Sequence, residues 1–438
     1  MPRVDVISLG CSKNLVESER LIKRLEAKGY EVVFDSDNPS GDYVMVNTCG
    51  FISDAKEESI NTILELCELK KRGRVGRVAV MGCLSQRYLD TLKEEIPEVD
   101  LWYGKFDYNR FIEQLPSALS ASHSHLSTPK SIKSWERKLT TPPHSAYLKI
   151  SEGCNRFCAF CAIPLITGRH TSRPMEEILE ETDSLVKQGV KEFNVIAQDL
   201  SAYGTDLYGK PMLAQLIDKM AEVPGVEWIR LHYAYPADFP MEILDVMAKR
   251  DNVCKYLDIA LQHISDPVLS NMRRHISKEE TMTLLKNIRN RVPGIKIRTT
   301  LMTGFPGEGE KEFDELLEFV KSQRFDRMGA FTYCEEEDTF AASHHKDTIP
   351  QEIKQHRLDT LMALQQEIAQ ELNDEMIGSV QKVIIDRVED GVAYGRTQYD
   401  SPEVDPEVLI RNTSLKPGEF VNVKITEAFP FELIGELV

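Results

Sequence analysis

The sequence predicts an α/β protein in three parts: an N-terminal parallel-sheet α/β domain over 1–115, a central partial (β/α) barrel over 144–372, and a small all-β barrel over 375–438. Two alternations and one change of texture carry that prediction. Short apolar runs alternate with amphipathic stretches in the first part, and again on a larger scale in the second. Buried strands joined by crossover helices make parallel sheets. After the helical pattern IPQEIKQHRLDTLMALQQEIAQELND the chain changes to short β-rich runs punctuated by Gly, Pro and Asp, as in a small barrel.

Taken in order, VDVISLG, YVMVNTCG and RVAVMGC read as the strands of the first part. The helices NLVESERLIKRLEAKG, ISDAKEESINTILELCELKK and LSQRYLDTLKEEI follow them in turn. The stretch 116–143 is rich in Ser, Thr and Pro, shows no sustained period, and reads as a linker. Six candidate strands follow: AYLKIS, EFNVIA, WIRLHY, YLDIAL, KIRTTLM and MGAFTY, with helical stretches such as MEEILEETDSLVKQG and GEKEFDELLEFVKSQ between them. Six such units put chemistry at the carboxyl ends of the strands. VQKVIIDRV, GVAYGRT and GEFVNVKITEA are the strands expected of the last barrel.

A formal net charge of −17 argues against a broad nucleic-acid surface, which needs Lys and Arg to displace counterions. It suits a basic partner better. The N-terminus lacks a basic region followed by an apolar run, and nowhere do about 18 apolar residues run unbroken. No secretory signal and no membrane span are expected, and the expected location is cytoplasmic. In reducing cytosol the 9 Cys point to metal or catalysis rather than to disulfides.

Three of these lie within SEGCNRFCAFCAIPLI: Cys154, Cys158 and Cys161, just after the first strand of the central part. Three thiolates can hold three corners of a [4Fe–4S] cluster and leave one iron open. The rival is a zinc site completed by His170 or another cysteine, but no second Cys-x₂-Cys pair exists to build one. A second set, Cys11, Cys49 and Cys83, falls at the carboxyl ends of the three candidate strands of the first part, where loops converge. Gly10 and Gly82 precede two of them and Gly50 follows the third, allowing close backbone approach to a bulky group. The set reads as a second three-thiolate cluster, against the alternative of small buried hydrophobes. Cys67, Cys254 and Cys334 read as packing.

The spacing Cys-x₃-Cys-x₂-Cys, with Phe160 before the last cysteine, resembles the signature of radical S-adenosylmethionine (SAM) enzymes. SLGCSKNLVESE, VNTCGFI, MGCLSQRY, GCNRFCAFCAIP and TGFPGE, in that order, resemble the methylthiotransferase family within them over nearly the whole chain. The resemblance implies an N-terminal methylthiotransferase domain, a radical-SAM partial barrel and a C-terminal TRAM barrel. It implies two [4Fe–4S] clusters, with Cys154, Cys158 and Cys161 on the radical-generating one and Cys11, Cys49 and Cys83 on an auxiliary one that carries the sulfur. S-adenosylmethionine would contact Phe160, Gln198 in VIAQDL and Arg298 in KIRTTLMTGFPGE. A low-potential electron donor such as flavodoxin or ferredoxin is implied as well.

GCSKN and LDIALQHIS resemble the branch that modifies an aspartate of a small-subunit ribosomal protein, and Lys13 and His263 become candidates for recognising a carboxylate-bearing substrate. The branch acting on tRNA adenosine carries Gly-Cys-Gln-Met-Asn and Gln-Ser-Gly-Ser at these places. Charge agrees: residues 375–438 hold six cations against twelve anions, net −6, where a barrel gripping RNA would be basic. A basic ribosomal protein, or the small subunit carrying it, is the expected partner. The alternatives are tRNA methylthiolation and, from another class, a non-catalytic iron–sulfur redox sensor that binds ribosomes.

Overall fold

Every strand of the first sheet runs parallel, in the order β2-β1-β3-β4-β5. The strands are β1 (Arg3–Ser8), β2 (Glu31–Phe34), β3 (Tyr43–Thr48), β4 (Arg77–Gly82) and β5 (Leu101–Trp102). Helices α1 (Ser12–Ala27), α2 (Ser53–Lys71) and α3 (Cys83–Glu95) follow β1, β3 and β4. Because alternate residues of a strand face opposite ways, the sheet carries two apolar layers. Val4, Val6, Met45 and Met81 pack with Leu21, Leu25 and Phe111 on one side. Val44, Val46, Val78 and Val80 pack with Ile63, Leu66 and Cys67 on the other. β2 and β5, which periodicity did not reveal, are short and only partly buried strands at the sheet edges.

The computed structural model describes residues 1–105, 107–116, 132–411 and 414–438. The chain divides into two units, Met1–Thr140 with Ala162–Arg169, and Thr141–Cys161 with His170–Val438. Of the predicted linker, 117–131 lies outside the described residues, and 132–140 departs from the linker reading. Arg137 forms a buried ion pair with Glu19 of α1, and the Thr140 amide donates to the same carboxylate at 2.8 Å. Two long-range polar contacts anchor a stretch whose composition resembles a linker.

The second unit contains the six predicted central strands: β6 (Ser145–Lys149), β9 (Glu192–Ile196), β10 (Trp228–Ala234), β11 (Val253–Ile259), β12 (Lys296–Thr303) and β13 (Arg327–Thr332). They form one parallel sheet, in sequence order. A small antiparallel pair, β7 (Ser151–Glu152) and β8 (Thr171–Ser172), stands beside it. Five strands then close a barrel in the order β14-β15-β16-β18-β17. They are β14 (Val380–Glu389), β15 (Val392–Thr397), β16 (Glu407–Ile410), β17 (Phe420–Phe429) and β18 (Glu432–Leu437), around a core of Val383, Ile385, Val408, Val423, Ile425 and Leu433.

The small barrel docks on the amino ends of the six strands. Glu192, the first residue of β9, receives Arg396 at 2.6 Å and Arg230 at 3.1 Å. Arg396 also holds Asp386 at 2.7 Å, and His144 lies 3.0 Å from that carboxylate. Arg327 of β13 pairs with Asp400 at 2.7 Å, and Arg298, near the start of β12, pairs with Asp405. The carboxyl ends are thereby left to chemistry. Arg298 thus belongs to this docking surface and not to the strand ends where a cofactor contact was expected. Its guanidinium is spent on Asp405.

Candidate active site

In the first unit, Cys11 caps the amino end of α1, Cys49 directly follows β3, and Cys83 opens α3 directly after β4. β1, β3 and β4 are neighbours in the sheet, so three distant cysteines leave three adjacent strand ends. Asn14, which sequence reasoning passed over inside GCSKN, ties those loops together. Its amide nitrogen donates to the carbonyls of Leu9 at 3.1 Å and Thr48 at 3.0 Å, and the Cys83 thiol donates to its oxygen at 3.5 Å. Ser59 of α2 locks Cys49, accepting from its amide at 3.0 Å and donating to its carbonyl at 2.9 Å.

Desolvation opposes the Cys11 thiolate, but the Lys13 ammonium, the backbone N–H groups of Asn14 and Lys13, and the Lys105 ammonium outweigh it and keep that thiol below its ordinary range. Lys13 therefore acts on Cys11. Burial pushes the Cys49 thiol up. The cradle is close-fitting: at Gly10 (φ +88°) an added Cβ would lie 2.6 Å from Cys49 Cβ and 2.8 Å from Cys49 Sγ. Gly10→Ala is expected to cost about 1–3 kcal/mol in backbone strain and to lower iron bound at this trio while the other trio keeps its own. Iron analysis combined with Mössbauer spectroscopy checks it.

In the second unit, Cys154, Cys158 and Cys161 lie in the loop after β6 and β7. Burial raises the Cys154 thiol to about 11. The Arg156 amide donates to Cys154 Sγ at 3.4 Å, and the Cys161 amide to the Cys158 carbonyl at 3.0 Å. Ala159 pins the loop on both sides, donating to the Met272 carbonyl at 2.9 Å and accepting from the Ala341 amide at 2.7 Å. All six of these thiols are free of disulfides. Each trio supplies three thiols outside any disulfide, the donor chemistry of a three-thiolate cluster. His170, which the rival zinc reading offered as one possible fourth ligand, lies 3.0 Å from Ser172 Oγ.

Phe160 is half-buried and meets Phe305 edge-on, ring centroids 6.2 Å apart. Gln198 follows β9 by two residues. Its nitrogen donates to Glu152, whose other oxygen accepts from Lys149 at 2.6 Å, while its own Oε1 is buried with no partner among the described residues. His263 corrects its reading as a substrate contact, since it is fully buried. Its Nδ1 accepts from the Ser265 amide at 3.0 Å, so Nε2 bears the proton and donates to Glu308 at 3.2 Å. Glu308 also accepts from the Gly304 amide at 2.9 Å and from Arg357 at 2.8 Å. His263 braces the TGFPGE loop against the end of β11. Cys67 and Cys254 are buried as expected, whereas Cys334 is exposed just past β13, which corrects its reading as packing.

Three cysteines follow the first strand of a parallel six-stranded sheet, and residues 148–320 match the radical SAM superfamily, which makes this a radical SAM enzyme. Residues 3–104 match the uncharacterized protein family UPF0004, and residues 377–438 match the TRAM domain. The chain is 60% identical over 437 residues, 99% of each chain, to the ribosomal protein uS12 methylthiotransferase RimO of Phocaeicola vulgatus. It is 58% identical to the enzyme of that name from Bacteroides fragilis, again over 99% of each chain. The chain belongs to the ribosomal protein uS12 methylthiotransferase family of radical SAM enzymes. Among solved structures, the radical SAM methyltransferase TsrM of Kitasatospora setae, with cobalamin and a [4Fe–4S] cluster bound, shares the fold. Its TM-score is 0.57 at 15% identity, covering 90% of this chain and 81% of that one.

Proposed function

We propose that this protein replaces a hydrogen on the β-carbon of an aspartate in uS12, the decoding-centre protein of the small ribosomal subunit, with a methylthio group. Two trios of thiols outside any disulfide, in a chain like the named uS12 enzymes over 99% of its length, carry the reading. A β-carbon beside a carboxylate is too weakly acidic for an ordinary base to deprotonate, which is why a cofactor must supply the difficult step. When bound, a [4Fe–4S] cluster on Cys154, Cys158 and Cys161 supplies the electron that cleaves S-adenosylmethionine, and one on Cys11, Cys49 and Cys83 carries the sulfur.

The chain's own residues hold and orient. Phe160 offers an aromatic surface, backed by Phe305, to the adenine. The unpartnered Oε1 of Gln198 is an acceptor for a donor on the cofactor, and Glu152 keeps the amide turned that way. The terminal barrel favours a basic partner even after internal pairing. Setting aside Arg396, Asp386, Asp400 and Asp405, which pair at the docking surface, leaves five cations against nine anions over 375–438. Such a field steers a basic ribosomal protein and repels phosphates. The reading includes a low-potential donor such as flavodoxin or ferredoxin and a cytoplasmic location. Among the described residues no helix is long and apolar enough to cross a membrane.

The test is anaerobic reconstitution with iron and sulfide, then incubation with S-adenosylmethionine, dithionite and either small ribosomal subunits or unmodified tRNA. The expected result by mass spectrometry is an aspartate of uS12 in which a methylthio group has replaced one hydrogen. Modified adenosine with unmodified uS12 would move the enzyme to the tRNA branch. No product and no 5′-deoxyadenosine would favour a non-catalytic redox sensor.

A further inference from the structure

Arg274 lies in the connection after the helix Asp266–Asn271 and is 3% exposed. Its Nη1 donates to Cys158 Sγ at 3.2 Å, and its Nη2 donates to the Ala260 carbonyl. No carboxylate among the described residues pairs with it. A buried guanidinium needs a counter-charge, and the group in hydrogen-bond reach that takes one is the Cys158 sulfur. Arg156, its neighbour over the Tyr235 ring, is compensated by Asp199 at 2.7 Å and Asp238 at 3.1 Å.

Tyr235 sets the guanidinium in place. Its ring lies 4.2 Å from the Arg274 guanidinium carbon, and its hydroxyl donates to the Arg274 carbonyl at 2.6 Å. That hydroxyl is also 3.8 Å from Cys158 Sγ, but it has one proton, and the shorter contact takes it. Arg273 (φ +55°) and His275 (φ +53°) flank Arg274 in the left-handed region, which residues with side chains adopt only at a cost. Backbone held in this way on both sides of one buried cation is strain of the kind that clusters at functional sites.

We propose that Arg274, oriented by Tyr235, is the fixed positive donor to the Cys158 sulfur that sets the reduction potential of the cluster held by Cys154, Cys158 and Cys161. The proposal rests on the reading that these three cysteines hold a [4Fe–4S] cluster. One electron enters from the low-potential donor, and no bond is made or broken. The added negative charge is stabilised by a cation and an N–H donor against a ligand sulfur, so both raise the potential. Arg274 and Tyr235 are positioning residues, and a potential reads their effect directly.

The experiment uses the full chain with Cys11, Cys49 and Cys83 replaced by Ala in every arm, so that one cluster reports. Redox titration followed by electron paramagnetic resonance gives its midpoint. Arg274→Met is expected to bind the parent's iron and to reduce with an equilibrium constant about tenfold lower, which for one electron is about 59 mV more negative. Arg274→Lys, which keeps the charge, falls between the two, and Tyr235→Phe shifts in the same direction by less. An Arg274→Met cluster with the parent's midpoint overturns the proposal. If Arg274→Met binds no cluster, Tyr235→Phe decides, and an unchanged midpoint there overturns it too. A parent chain that binds no cluster on the three cysteines overturns the underlying reading as well, and shows it before any variant is compared.

Discussion

Cys158→Ala is expected to lower SAM cleavage below about a thousandth of the parent rate and to remove about four irons per chain. Cys49→Ala is expected to remove a similar amount of iron, to leave cleavage of SAM to 5′-deoxyadenosine within a few-fold, and to abolish methylthio transfer. The split follows from chain geometry. Cys154, Cys158 and Cys161 share one loop pinned by Ala159. Cys11, Cys49 and Cys83 come from three strand ends tied by Asn14. The contacts that hold each trio lie within its own unit, so each loss is expected to be separate. Iron and sulfide analysis with chromatography of 5′-deoxyadenosine checks both variants. A Cys158→Ala protein with full iron and normal cleavage would show that these cysteines do not build the radical-generating site.

Arg396→Ala is expected to destabilise the second unit by about 3–5 kcal/mol, the usual loss when one partner of a buried ion pair is removed. Arg396 is 2% exposed and donates to Glu192 at 2.6 and 2.9 Å and to Asp386 at 2.7 and 2.9 Å. Burial alone would push the Glu192 carboxyl up, but Arg396 and then Arg230 overcome it and hold it well below the ordinary carboxylate range. Burial likewise opposes the Asp386 carboxylate, and Arg396 and His144 outweigh it. Both folded pKa values are depressed. Their contribution is therefore complete above the ordinary values of 4.5 and 3.8 and is lost as pH falls from there toward the folded values. The difference between parent and Arg396→Ala should thus be largest at neutral pH and shrink below about pH 4. Denaturant unfolding at both pH values measures it, and a pH-independent difference would locate the loss in packing alone.

The six central strands were legible because strands buried on both faces are written as near-continuous apolar runs. The strands β2, β5, β16 and β18 were not, being two to six residues long, three of them too short to show a period and β18 interrupted by Gly435. Asn14, Arg274 and Tyr235 carry no local pattern that marks them. Arg298 and His263 looked functional because each lies beside a family motif, and their partners then proved to be Asp405 and Glu308.

By itself the sequence determined the α/β order, the closed terminal barrel and the position of six cysteines just after recognisable strands. Those features repeat at short spacing or stand at the ends of recognisable strands. Tertiary structure alone decided which amino-end charges lock the barrel to the sheet, that Arg298 is among them, and that a buried arginine reaches Cys158. Those pairs join residues 107 and 116 positions apart in the chain. Local periodicity specifies which face of an element is apolar. Which buried charges meet is set by where the loops fold together, because in a low-dielectric interior each charge is stable only beside its partner.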